Sequence, residues 1–448
     1  MPFVDIHSSD DYVAIHYVTN TNFSNVSGLN PDKPTLVILH PAFLDSSWID
    51  LQMNDENLGV HYNIVAFDMR SSGRSSSRPS GRHDTWVDAA DLALCFQKLH
   101  LPPCHILANG GTSIYCATRF ALLFPEMCLS LALVNVPAPV ELKWIYKNMD
   151  ELIHAACFAD DVDSFEQAAY EFLEFLFGPR TDRDLMDELV TWWGIAHPPR
   201  DRARTAEMTS VYINRTPLSP ELYAQITQPV LIVQGEKNEL CPAKYAEKLA
   251  SQLTGVKGGV SYYTVKGYST MISIIPDAVY TVNATVATFL ARLPRARSDL
   301  LPPQTPVKER MEMALQKLSE IIGDPDMESL DSMSSLSFAC LSPEISKAQT
   351  DLLKRYGRDA ETALDLTDVE SWSRRLYSER RMQEEASGKA FNGARSDPER
   401  PAKSSTRSVE SGDSPLFKNT FTSTTSLEKV PAKPQGNVIT NPLQRLRA

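Results

Sequence analysis

An α/β architecture, with a mostly parallel sheet wound on both faces by helices, is the fold this sequence predicts. Three observations carry it. From residue 35 to about 293, short apolar runs alternate with amphipathic segments of helix length. Several of those runs are apolar throughout, as strands covered on both faces must be. One of them ends in Asn109-Gly110-Gly111 and passes straight into helical periodicity.

In chain order, residues 35–40 form a buried strand and 62–68 the next. Residues 85–99 place Trp86, Ala89, Leu92 and Phe96 at helical spacing. A strand at 104–108 runs into the glycine turn, a helix at 112–124 closes at Pro125, and a strand at 129–136 is ended by Pro137 and Pro139. Residues 140–225 hold helix-period segments rich in Phe, Leu and Trp, which predicts a helical lid at about 138–226 inserted between two strands. The sheet resumes at 229–235, followed by a helix at 243–253, a strand at 260–265 and a helix at about 277–293.

After Pro294 the residues turn to Ser, Thr, Pro and charge, which predicts one domain over 1–298 and a polar, mainly disordered tail over 299–448. Helices are expected within that tail at about 307–322 and 345–385. Its Ser404-Ser405-Thr406 cluster, its 420–426 run, and Arg374 to Arg381 suit a phosphorylatable segment that binds a protein partner.

Composition narrows the function. A net charge of −12 and a pI near 5.3 argue against a nucleic-acid surface, which needs clustered Lys and Arg. Seven cysteines lie scattered without a CxxC pair or zinc spacing, so reduced thiols and no metal site are expected. No signal-peptide pattern opens the sequence and no run reaches the roughly 20 apolar residues of a membrane span, so a cytoplasmic protein is expected. No cofactor is implied.

The strand, glycine turn and helix at 104–124 resemble the nucleophile elbow of the α/β-hydrolase family, whose sequence form is GxSxG. Other pieces follow in family order. His40-Pro41-Ala42-Phe43 stands at the oxyanion loop, and Asp68-Met69-Arg70-Ser71-Ser72-Gly73-Arg74-Ser75 resembles the family's Asp-x-Arg-Gly-x-Gly-x-Ser. Residues 119–126 resemble the helix end beyond the elbow, and 229–236 the strand that delivers the acid. The likeness covers about residues 10–293.

Aligned on these landmarks, the family's Ser, Asp and His fall on Gly111, Asn238 and Tyr268. Glycine has no nucleophilic oxygen, an amide cannot stabilise an imidazolium as a carboxylate does, and a phenol is a poor base at neutral pH. The expectation is therefore a protein that resembles a hydrolase, lacks its activity, and binds a small molecule or a protein. The resemblance implies oxyanion donors at the Ala42 and Thr112 backbone, able to hold a carbonyl or carboxylate. His40, Phe43, Asn238 and Tyr268 complete the expected ligand site, in a pocket that Gly111 enlarges.

The alternative is an esterase-like hydrolase or cofactor-independent lyase with a shifted nucleophile, Thr112 or Ser113, and His40 as base. Both hydroxyls also suit helix-start hydrogen bonds. His154 and His197 read as solvated or lid-packing, and Pro198-Pro199 with Arg200, Arg202 and Arg204 predicts a surface loop at 197–204.

Overall fold

The computed structural model describes residues 2–357. A hairpin of β1 (Phe3–His7) and β2 (Tyr12–Thr19) precedes the first strand expected from the sequence. Then come β3 (Thr35–Leu39), the short α1 (Asp50–Met53), β4 (Asn63–Phe67), the two-residue β5 (Ser76–Ser77) and α2 (Thr85–Lys98). The glycine turn joins β6 (Cys104–Asn109) to α3 (Gly111–Leu123), and β7 (Cys128–Val134) follows.

Five helices stand between β7 and the next strand: α4 (Lys143–Cys157), α5 (Val162–Phe177), α6 (Arg183–Ala196), α7 (Arg202–Ile213) and α8 (Pro220–Tyr223). The chain continues through β8 (Val230–Gly235), α9 (Ala243–Gln252), β9 (Ser261–Val265) and α10 (Pro276–Leu290). Two more helices, α11 (Val307–Ile322) and α12 (Pro343–Arg355), end the described residues.

The sheet runs β1-β2-β4-β3-β6-β7-β8-β9, with β5 beside β2. From β4 to β9 every pairing is parallel, and the N-terminal strands add antiparallel. Strand side chains alternate between faces. Val37, Leu39, Val65 and Phe67 join the core under α2, α3 and α9, whereas Leu36, Ile38, Ile64 and Ala66 join the core under α10. The inserted helices close a third cluster around Phe165, Phe172 and Trp193.

The buried Arg70 guanidinium ties the hairpin to the parallel core. It donates Nη1 and Nη2 to Asp11 at 3.0 and 2.7 Å, and Nε and Nη2 to Asp91 at 2.8 and 2.9 Å. Asp68 accepts Ser46 N and Arg74 N and pairs with His16 at 2.8 Å, contacts that hold its carboxyl near 2 despite burial.

The segment after 298 differs from its expectation of a polar tail. α11 forms over the expected residues, but it packs: Met311, Ala314, Leu315 and Leu318 repeat at i, i+3, i+4 and i+7 and join the core beside α2 and α3. Met327, Leu336 and Phe338 follow them inward. Gln349 of α12 exchanges two hydrogen bonds with the His83 main chain, at 3.1 and 2.7 Å. Polar composition hid a one-sided apolar stripe. The remainder of the expected 345–385 helix and the Ser/Thr clusters lie outside the described residues.

Candidate functional site

The turn between β6 and α3 is sharp, and two glycines make it. Gly110 and Gly111 have φ of +69° and +54°, the left-handed region in which a side chain is strained and glycine is not. Asn109 Nδ2 donates to Leu39 O at 3.2 Å, and Ser113 Oγ donates to His40 O at 2.5 Å, so β3, β6 and α3 are locked at the turn.

The space a side chain at Gly111 would take is occupied, where the sequence led us to expect an enlarged pocket. A Cβ on Gly111 would lie 2.5 Å from Ala42 Cβ and 3.1 Å from Tyr212 Cε2. The Tyr212 ring packs 5.0 Å from Phe43, which meets Phe172 edge-on at 5.2 Å. Beneath it, buried Arg215 donates to Tyr212 O at 2.7 Å, to Ala138 O at 3.0 Å and to Glu141 Oε2 at 2.6 Å. The inserted helix α7 thus places the Tyr212 ring against the Cβ direction of Gly111.

Asn238 and Tyr268 lie in the loops that leave β8 and β9, with Lys237 N donating to Tyr268 O at 2.9 Å. Asn238 Oδ1 accepts Cys241 N at 2.7 Å, while its Nδ2 is buried without a partner among the described residues. Both residues line an open groove of about 1590 Å³ between these loops and helices α4 and α5. Gly111, His40, Ala42, Phe43, Thr112 and Ser113 are not in its lining. The six expected ligand residues therefore divide: two edge the groove, and His40, Ala42, Phe43 and Thr112 belong to the filled turn. Sequence reasoning had no means to find the groove's other wall, because Trp144, Glu171 and Glu174 come from helices with no counterpart in the motifs.

The shifted-nucleophile constellation does not assemble around the His40 ring. Its Nδ1 meets Pro41 O at 2.9 Å and its Nε2 accepts Met69 N at 3.1 Å, so both nitrogens serve the main chain. Ser113 touches the His40 carbonyl instead. A serine–histidine contact does exist elsewhere. Ser71 Oγ lies 3.2 Å from His83 Nδ1, and His83 Nε2 lies 2.9 Å from Asp88 Oδ1.

That arrangement is inverted for catalysis. Ser71 gives its proton to Glu207 Oε2 at 2.8 Å, and Asp88 and Glu207 raise the pKa of His83 against the cost of its burial. With its hydroxyl proton committed to the Glu207 carboxylate, Ser71 is not aimed to give it to the His83 ring. All four side chains are buried and none lines the groove, so they serve as a pin between the 71–83 segment, α2 and α7. Thiols supply no substitute: burial lifts Cys157 and Cys241 to about 12. Among the described residues no group of three or more His, Cys, Asp or Glu is placed to hold a metal ion.

The 197–204 segment is not the surface loop expected. His197 stacks 4.1 Å from Trp193, and Arg202 is buried, its Nε and Nη2 donating to the carbonyls of Tyr356 and Gly357 at 3.2 and 3.1 Å. The Trp192-Trp193 pair captures the ring that follows it. Burial, aided by Arg204 and opposed by a hydrogen bond with the Phe43 main chain, pushes His197 down to about 3.

An unfolded histidine titrates near 6.5, so the unfolded chain takes up a proton that folded His197 refuses. Its stability contribution is present above about pH 6.5 and is lost as pH falls toward the folded value. Between pH 7 and pH 5 the natural protein should lose about 2 kcal/mol more stability than His197→Phe, read from urea midpoints. Parallel pH profiles would show that the ring is not buried neutral.

The comparisons with known proteins agree with the topology. The family model described as the alpha/beta hydrolase fold matches residues 35–263. No curated protein matches. Among solved structures, an esterase from Exiguobacterium antarcticum superposes with a TM-score of 0.51 at 16% identity, covering 65% of this chain and 100% of its own. An esterase from Thermogutta terrifontis gives 0.51 at 14%, covering 65% and 99%. The enol-lactonase from Burkholderia xenovorans LB400 gives 0.50 at 14%, covering 65% and 100%. At such identities the likeness is one of fold.

Proposed function

This chain belongs to the alpha/beta hydrolase fold family, and we propose that it works within that fold as a binding module rather than as an ester hydrolase. One observation carries the reading: the position of the nucleophilic side chain is a glycine whose Cβ direction is already occupied by Ala42 and Tyr212. The amide at Asn238 and the phenol at Tyr268 support it, since neither replaces a carboxylate or an imidazole. Members of a triad act as a unit, so three substitutions leave little beyond binding.

The binding site of this reading is the groove edged by Asn238 and Tyr268, at the carboxyl ends of β8 and β9, where open α/β sheets bind ligands. A carbonyl-bearing ligand suits it, because Asn238 Nδ2 offers a donor. The protein acts in the cytosol, a placement supported by seven cysteines none of which is paired. No described helix is long and apolar enough to cross a membrane.

Hydrolysis of p-nitrophenyl acetate by the full chain tests the reading. The expected rate equals that of buffer. Turnover above buffer that disappears on Thr112→Ala or Ser113→Ala would overturn it in favour of a shifted nucleophile.

A further inference from the structure

Two kinds of feature coincide in the groove. Among the described residues its lining carries five glutamates and two aspartates against two cations, Arg180 and Lys237. Glu171 and Glu174 lie one turn apart on α5, while Glu236 and Glu239 lie across from them in the loop after β8. Among the described residues no Lys or Arg comes within ion-pair distance of these four. A concave surface of one sign concentrates counter-charge.

The second kind of feature is polar and buried. Asn238 is 5% exposed and Thr270 8% exposed; both line the groove, and Asn238 Nδ2 and Thr270 Oγ1 have no hydrogen-bond partner among the described residues. Native proteins rarely leave such groups unpaired, and ligand sites are one place where they do. Asn238 is oriented by its own acceptor, because Oδ1 is held by Cys241 N. Trp144, 45% exposed, and Phe175 lie edge-on to each other at 5.9 Å and add an aromatic wall.

We propose that this groove binds a basic peptide segment of a partner protein, taking a backbone carbonyl at Asn238 and Thr270 and Lys or Arg side chains between Glu171–Glu174 and Glu236–Glu239. The assignment rests on the binding-module reading above. Each part of the site asks for a different part of such a ligand. The orphan amide donor needs an acceptor, which a peptide carbonyl supplies and a protonated amine does not. The facing carboxylates need cations, and long Lys or Arg stems cover aromatic faces as they reach them. At about 1590 Å³ the groove exceeds the roughly 300–1,000 Å³ of small-molecule pockets, which favours an extended segment over a metabolite. A carboxylate ligand, admitted by the sequence, is repelled there.

The test uses the full chain and a fluorescein-labelled peptide of alternating Gly and Arg, followed by anisotropy beside a Gly-Glu peptide and spermine. Saturable binding of the Gly-Arg peptide alone, weakened by salt, is expected. The double variant Glu171→Gln with Glu174→Gln should weaken it about tenfold and flatten the salt dependence. Thr270→Val gives an opposed pair of readouts: it removes a hydroxyl without a partner, so Tm holds or rises, yet peptide affinity falls several-fold.

No saturation by about 1 mM Gly-Arg peptide overturns the proposal. So does affinity unmoved by Thr270→Val, which would mean charge attraction without a built site, and so does spermine binding as tightly as the peptide. Ester turnover measured on the same sample separates the two readings. Turnover sinks the binding module itself, whereas no turnover with no peptide binding sinks only the basic-peptide assignment.

Discussion

A chain ended at residue 298 should fail to reach the native state, although its last strand and the whole glycine turn are intact. The segment it lacks places Met311, Leu315, Leu318, Met327, Leu336 and Phe338 in the core beside α2 and α3. At roughly 1.5–3 kcal/mol per large apolar side chain, their loss is on the order of 10 kcal/mol, even before allowing for a compact unfolded state. Domains are stable by only about 5–15 kcal/mol. Removal also strips the Asp84 carboxylate of Cys340 N, a 2.8 Å bond on a half-buried residue, and the His83 main chain of Gln349.

The shortened chain should show a molten, dye-binding state without near-ultraviolet ellipticity. A chain ended at 357, which keeps every contact just named, serves as its reference. A cooperative transition for the 298 chain within a few degrees of that reference would show that α11 and α12 are ornaments on a self-sufficient domain.

This segment also marks where the sequence was legible and where it was not. The parallel strands from β3 to β9 could be read because each is an apolar run covered on both faces, and their order followed from landmarks such as the Gly110-Gly111 turn and Pro125. β1 and β2 escaped notice because they join the sheet antiparallel at its edge, and β1 alternates buried and exposed positions over only five residues. α11 carried the right period, but a composition rich in Lys, Glu and Ser concealed that one stripe of it was core. Composition averages over faces; packing does not.

Local spacing led to Gly111, Asn238 and Tyr268, and the loops bearing the last two do leave β8 and β9 side by side. What local spacing could not give was the space above Gly111. That depends on Tyr212, about a hundred residues away on a helix that no motif describes, and a missing side chain reads equally as an enlarged pocket or a filled one. The buried pin of Ser71, His83, Asp88 and Glu207 was invisible for the same reason, since Glu207 reaches it across 136 residues.

Restoring the family residues should therefore not restore the family chemistry. Gly111→Ser, alone or with Asn238→Asp and Tyr268→His, should lower stability by about 2–4 kcal/mol and give no p-nitrophenyl acetate turnover. The backbone is not the chief obstacle, because the elbow of this fold holds its nucleophile in a strained turn by design of the strand and helix around it. The obstacle is volume. A Cβ 2.5 Å from Ala42 Cβ lies inside any real contact distance, and neither α3 nor the loop after β3 can yield while Ser113 Oγ bonds His40 O.

Steric origin has a signature that a polar or electrostatic cause lacks. Ala42→Gly removes the atom in the way, so adding it to Gly111→Ser should return about 1–2 kcal/mol, a favourable coupling between two substitutions that each destabilise alone. Thermal melts of the two single variants and the double complete the cycle. Additive losses would mean that Ala42 is not what closes the site. A Gly111→Ser protein that melts with the natural one and hydrolyses the ester would mean that Tyr212 swings aside, and that the elbow stands one hydroxyl away from activity.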